Sequence, residues 1–388
     1  MSAVSAPGVP PLAVYVHLPW CLQRCGYCDF HAHALRGELP TQAYVAALGR
    51  ELRRQAGDAL GRRVASVYIG GGTPSLFPPE AIGDLLADLD RVLGVAEGAE
   101  ITLEANPGAT ETARLARFRE AGVTRLSLGV QSLDDASLAR LGRIHDAAAA
   151  RAAVAEARAA GFRGINADLM YGLPGQGVAD AEADVAGVLE LGVDHVSHYQ
   201  LTIEPETPFG RRPPADLPDE AAVLAMETAC RRRLAAAGLA RYEVSAFARP
   251  GQRSAHNIGY WTFGDYLGLG AGAAGKLTGA DGRVVRTRQE PAPQRWMAAA
   301  GGPEAEGERE VLSGPALRFE VFLNGLRLCE GIPATLAAAR SGCSRAELAA
   351  WLAPVRERGW LVWTEADRIR PSAAGLEMLD SLLLELMP

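Results

Sequence analysis

Lysine is almost absent from this chain of 388 residues: of 39 basic side chains, Lys276 is the one lysine. Arginine carries the rest, a skew that reflects genome composition and says little about partners. No apolar run approaches the roughly 20 residues needed to cross a bilayer. The start, MSAVSAPGVPPLAVYVHLPW, lacks a basic segment followed by a long apolar one, so no secretory signal is expected. A net charge of −7 leaves no whole-chain electrostatic footprint for nucleic acid. Cysteine is scarce as well, at six residues, yet Cys21, Cys25 and Cys28 crowd into the stretch WCLQRCGYCDF. Clustering without a disulfide-like distribution fits a reducing cytoplasm, where such groups bind metal or do redox chemistry. Apolar residues are plentiful, at 48%, and the length suggests more than one domain.

From residue 14 to about 201 one unit repeats. Short β-branched or apolar runs at 13–18, 64–70, 100–105, 125–130, 164–170 and 195–201 alternate with Ala/Leu/Arg-rich helical stretches. Thr41 reads as an N-cap, Pro79 as a first-turn proline and Gly161 as the residue after a helix end. Strands alternating with helices argue for a parallel sheet with right-handed crossovers. Six units are too few for a closed eight-stranded barrel. The expected fold is therefore α/β, a partial (β/α)6 barrel over 1–215, with its site at the C-terminal ends of the strands. The chemistry-bearing residues sit there: the cysteines after the first run, GGGTPS after the second, Glu104 and Asn106 after the third, Gln131 after the fourth, and Asp168 late in the fifth.

Beyond the barrel, 216–300 reads as an extension with a helix near 218–237 and a glycine-dense region at 241–287. Residues 288–314, which include GGPEAEGERE, read as a connector. The last region, 301–388, patterns as helices followed by a small hairpin from GWLVWT and RIRPS, a winged-helix-like α+β module. Its basic and acidic residues nearly balance, which favours an interaction or lid role over DNA binding.

Three thiolates on a tight loop suit either of two metal centres. One is Cys3His zinc, completed by His31 or His33. The other is a [4Fe–4S] cluster held by three cysteines with one iron left open. An open iron needs an external ligand, and Gly70–Gly72 of YIGGGTPS let backbone approach one closely, with Thr73 and nearby N–H groups available to it. His256, Asn257, Tyr260 and Trp261 form HNIGYW, in which an imidazole and two aromatic faces suit haem. A structural corner is the plainer reading of the same residues. Lys276 reads as a surface residue or as the partner of an acidic group, and Cys230, Cys329 and Cys343 as buried small hydrophobes. His195 and His198 lie on opposite faces of their strand, so one is expected to point inward.

YVHLPWCLQRCGYCDF followed by GGGTPS resembles the radical S-adenosylmethionine (SAM) superfamily, in its oxygen-independent coproporphyrinogen III oxidase branch. The likeness continues through LEANPG, LSLGVQS, LGRIH, NADLMYGLPGQ, YQLTIEPETP, YEVSAFARPG and HNIGYW, across nearly the whole chain. It implies a [4Fe–4S] cluster on Cys21, Cys25 and Cys28, and SAM bound by Tyr15, Tyr27, Gly71, Gly72, Thr73, Glu104, Gln131, Arg143, Asp168 and Thr202. Oxidases of the branch carry a further cysteine two residues after the third and a longer N-terminal segment. Here that position is Phe30 and the cysteine motif starts near residue 20. Cys28-Asp29-Phe30 resembles instead the HemW-type haem chaperones, with His256, Asn257, Tyr260 and Trp261 as their haem motif. The implied role is cytoplasmic: haem is bound as cargo and passed to a haem-requiring respiratory protein at the membrane face. Oxidative decarboxylation of coproporphyrinogen III is the alternative.

Overall fold

Six strands run side by side in chain order in the computed structural model, which describes residues 9–108 and 113–388. They are β1 (Leu12–Leu18), β2 (Val64–Gly71), β3 (Val95–Ala105), β4 (Arg125–Gln131), β5 (Gly164–Tyr171) and β6 (His195–Gln200), each parallel to the next. Helices cover them, so most of these strands are largely buried, and β4 is buried at every position. Residues of β1 to β6 and the covering helices form one apolar core. Both His195 and His198 are buried, against the expectation that one alone would point inward, because both faces of this sheet are covered.

The sheet does not stop at six strands. After a short antiparallel pair, β7 (Ala240–Arg241) and β8 (Ala246–Ala248), the chain returns to the opposite side of β1. There β9 (Asp265–Leu269) pairs with β1 in parallel. Three antiparallel strands follow: β10 (Ala274–Thr278), β11 (Val284–Gln289) and β12 (Glu306–Leu312). The order is β12-β11-β10-β9-β1-β2-β3-β4-β5-β6-β8-β7, and the two outer strands do not meet, so the barrel is open. Residues 288–314 are therefore not a plain connector: they hold the end of β11, the helix Pro293–Ala299 and the whole of β12. Strand β12 is an edge with most side chains in water, and its charges face opposite charges: Glu310 lies across from Arg286 and Glu308 from Arg288. Thr41 opens the helix Thr41–Gln55 as its first residue, after Pro40, and makes no side-chain cap.

Lys276 is buried, not on the surface, and pairs with Asp265 at 3.3 Å. The C-terminal helices Gly314–Gly325, Ala334–Ser341, Arg345–Trp351 and Ala353–Glu357 lead into antiparallel strands Leu361–Trp363 and Arg368–Pro371. A third short strand, Ile332–Pro333, joins that small sheet. Its apolar core is continuous with Tyr242, Phe263, Val284 and Leu312 of the preceding region. Among the described residues no helix is long and apolar enough to cross a membrane.

Candidate functional site

The C-terminal ends of the parallel strands open into a cavity of about 820 Å³. Beyond β1, Trp20 and Cys21 pair with His33 and Ala34, which closes the cysteine loop. The Cys28 N–H donates to Cys25 O at 3.3 Å, and Arg24 Nη2 to Cys28 O at 3.0 Å. Gly26 lies so close to the Phe209 ring that a Cβ there would collide with it. All three loop cysteines line the cavity. Burial pushes the Cys21 thiol up to about 11 and raises the Cys28 thiol as well. Thiolates here consequently require a cationic centre to stay ionised. His31 Nε2 is turned to Pro291 O at 2.6 Å, and His33 to His31 at 3.4 Å. Among the described residues no three His, Cys, Asp or Glu side chains converge on one metal ion position, as a Cys3His zinc site would need.

At the end of β2, Gly71 has a φ of +121°. A Cβ on Gly72 would stand 2.5 Å from Trp20 O. Only glycine lets this loop press so close to the cysteine segment. The loop's N–H groups are already engaged: Gly71 donates to Glu104 Oε2 (3.1 Å), Gly72 to Leu18 O (2.9 Å) and Thr73 to Trp20 O (2.7 Å). The expected free N–H donors are absent, and the loop offers a ligand close backbone approach instead.

Two half-buried carboxyl groups face the same space. Glu104 accepts from Tyr68 Oη at 2.8 Å, and burial, reinforced by the charge of Asp168, raises its pKa to about 7. Asp168 accepts from Asn166 Nδ2 at 2.7 Å and from Ser127 Oγ at 3.2 Å, and burial raises it too. Arg143 Nη2 donates to Asn106 Oδ1 at 2.6 Å and Gly129 O at 2.7 Å, while Nη1 lies 3.6 Å from Cys25 Sγ. Its Nε is buried with no acceptor. Gln131 adopts a left-handed φ of +67°, unusual for a side-chain-bearing residue, and accepts from Tyr199 Oη at 2.9 Å.

Tyr27, Gly71, Gly72, Thr73, Glu104, Gln131, Arg143, Asp168 and Thr202 thus border one cavity with the cysteines. Tyr15 does not; it stacks on Tyr68 and is hydrogen-bonded to His17 Nδ1 at 2.8 Å. Sequence reasoning missed Tyr68, Ser127, Tyr199 and Arg327. Tyr68 sits two residues before Gly70 on β2, hence on the same face, and alternation alone would have found it.

HNIGYW forms the helix Ala255–Trp261. Glu100 on β3 holds its N-terminus, accepting from Ser254 Oγ (3.2 Å), Ala255 N–H (3.1 Å) and His256 N–H (3.0 Å). Asn257 and Trp261 line the cavity. His256 turns the other way: it is 8% exposed, its Nδ1 lies 3.1 Å from Ser66 Oγ, and its ring sits 5.1 Å from that of Tyr68. Burial lowers its pKa to about 4. Tyr260 packs on Trp261 and Tyr266.

The model of the radical SAM superfamily matches residues 15–187, the span of the cysteine loop, the glycine loop and β1 to β5. The heme chaperone HemW of Escherichia coli (strain K12) is 43% identical over 376 residues, covering 97% of this chain and 98% of its own. The chain belongs to the HemW family of the radical SAM superfamily. Another relative is the mitochondrial radical S-adenosyl methionine domain-containing protein 1 of Bos taurus, 37% identical over 98% of this chain and 88% of its own. Among solved structures, the radical SAM enzyme coproporphyrinogen III oxidase (HemN) from Escherichia coli superposes with a TM-score of 0.83. It covers 98% of this chain and 90% of its own at 24% identity, and so shares the fold. For this HemW-family chain the residues fit what the superfamily implies. Three thiols suit an iron–sulfur cluster, the Glu104–Asp168 pair suits a cationic ligand, and Arg143 has an unused N–H for a carboxylate.

Proposed function

We propose that this protein is a cytoplasmic haem chaperone that binds a [4Fe–4S] cluster and SAM and passes haem to a haem-requiring respiratory protein. The observation that carries the reading is the shared cavity: Asn257 and Trp261 of the HNIGYW helix border the same space as the three cysteines, in a chain of the HemW family. Cys21, Cys25 and Cys28 would hold the cluster. Glu104 would take the ammonium of SAM and Arg143 its carboxylate, with Gly71, Gly72 and Thr73 beside the methionyl chain and Tyr27, Gln131, Asp168 and Thr202 around the remainder. When bound, the cluster and SAM supply one-electron chemistry to the cavity. The chain's own residues would position these groups, with Tyr68 and the Gly71 N–H holding Glu104, and Asn166 and Ser127 holding Asp168. Phe30, 62% exposed and on the cavity border, occupies the place where oxidases of the branch carry a further cysteine. The reading divides the labour among the barrel over 1–215, the extension over 216–300 with the haem-facing helix, and the module over 301–388 as a lid.

The test uses anaerobically reconstituted protein with SAM, a reductant and coproporphyrinogen III, and a haem titration on the same batch. Saturable haem binding without decarboxylated porphyrin is expected. Product at many turnovers, with a known oxidase alongside, would make the protein an enzyme of haem synthesis and overturn the proposal.

A further inference from the structure

The helix Ala255–Trp261 does not form its wall of the cavity alone. The C-terminal module reaches over it with the turn that follows Gly314–Gly325, and Arg327 on that turn borders the cavity beside Asn257 and Trp261. The Arg327 guanidinium lies over the indole of Trp261, 4.5 Å from the ring centroid. Its Nη2 donates to Glu243 Oε2 at 3.2 Å. Glu243 is 4% exposed and also accepts the Ser245 N–H at 3.0 Å. The backbone just after it is tied twice: Glu243 bridges Leu328, and the Cys329 N–H donates to Tyr242 O at 2.9 Å. The arginine is therefore fixed at its base, yet its side chain remains 31% exposed.

Glu243 is the one acceptor that meets this guanidinium among the described residues. Arg327 Nε is buried without a partner, and so is the indole N–H of Trp261. Burying an N–H with no acceptor costs on the order of 1–3 kcal/mol. Two such donors stacked on each other at one cavity wall mark a place that lacks an acceptor. A planar cationic fork on an aromatic face is suited to a flat, largely apolar ligand with a carboxylate at its edge. Haem is such a ligand, an apolar plate bearing two propionates.

We propose that Arg327 is the anchor for the haem carboxylates in this cavity, pairing with a propionate while Trp261 and Asn257 border the macrocycle. This inference rests on the haem-handling reading above. It gives the C-terminal module a direct part in ligand recognition. The competing role for Arg327 is a strut that merely clamps the module to Glu243.

Haem and its dimethyl ester, in which both propionates are capped, separate the two roles. Each is titrated by absorbance into cluster-loaded protein. The intact protein is expected to bind haem about 10-fold more tightly than the ester, the scale of one charge-assisted hydrogen bond. In Arg327→Gln the haem affinity should fall by about that factor while the ester affinity stays put, erasing the preference. Arg327→Lys should retain part of it. A preference that survives in Arg327→Gln, or equal binding of both ligands by the intact protein, overturns the anchor and leaves the haem reading standing. An intact protein that binds neither ligand overturns the haem reading, and the anchor with it. If Arg327→Gln does not fold, Glu243→Gln decides: it removes the strut's partner but keeps the cation, so the preference should persist. Its loss there would mean the ion pair, not the ligand contact, sets the preference.

Discussion

Asp265 is the residue whose replacement tests the architecture most directly. It opens β9, the strand that extends the sheet beyond β1, and is 1% exposed. Its carboxylate accepts from Arg62 Nη1 at 2.6 Å, Lys276 Nζ at 3.3 Å, the Thr278 N–H at 2.8 Å and Thr278 Oγ1 at 2.9 Å. One buried anion thus serves two buried cations. Burial lowers the Lys276 pKa to about 8, and Asp265 opposes that fall. Asp265→Asn keeps the shape and one acceptor but strands both cations, a change that costs about 3–5 kcal/mol when a buried pair is broken from one side. That is a large share of the 5–15 kcal/mol that holds a typical domain together. Adding Lys276→Met removes one stranded charge and should return roughly half of the loss. Urea unfolding followed by far-ultraviolet circular dichroism reads the change as a shifted midpoint at constant slope. Between about pH 8 and roughly 10.5 the unfolded chain binds one proton more at Lys276 than the folded chain does. Stability of the parent should therefore rise with pH in that window relative to Lys276→Met, because the folded-state pKa is lowered. A loss below about 1 kcal/mol in Asp265→Asn would refute the reasoning and place water at this cluster.

Three further outcomes follow from the site. Glu104, held at about 7 by burial, is largely neutral at pH 6 and ionised at pH 8; SAM binding by calorimetry should strengthen across that range and lose the trend in Glu104→Gln, whereas a flat profile in the parent would remove Glu104 from the ammonium. Gly72→Ala places a Cβ 2.5 Å from Trp20 O, so the melting temperature should fall by an amount equivalent to about 1–3 kcal/mol and SAM affinity with it, and an unchanged protein would show that the loop yields freely. His256→Gln should cost about 1–2 kcal/mol through its buried bond to Ser66 yet leave the haem absorbance band in place, and a lost or shifted band would make His256 an iron ligand.

The strands of the barrel were legible because buried strands leave short runs rich in apolar residues, as in RLSLGV and GINADLM, separated by longer helical patterns. The chain around GDYLGLGAGAAGKLTG was legible as glycine and nothing more. Those glycines serve β9 and β10: a Cβ on Gly268 would strike Ala274 O, and one on Gly270 would strike His17 O. Glycine composition marks a close approach but does not say to what, and here the partner backbone of β1 lies some 250 positions away in the chain. Strand β12 was hidden for the opposite reason, since an exposed edge rich in glutamate lacks the apolar alternation by which strands are read. The same limit explains the site. Glu104, Gln131 and Asp168 lie late in strands that the pattern reveals, whereas Arg327 reaches the cavity only because Leu328 and Cys329 tie its turn to Glu243 and Tyr242. That turn shares its core with Tyr242 and Phe263. A module packed this firmly beside the HNIGYW helix completes the wall of the cavity, and its removal would open the site as well as shorten the chain.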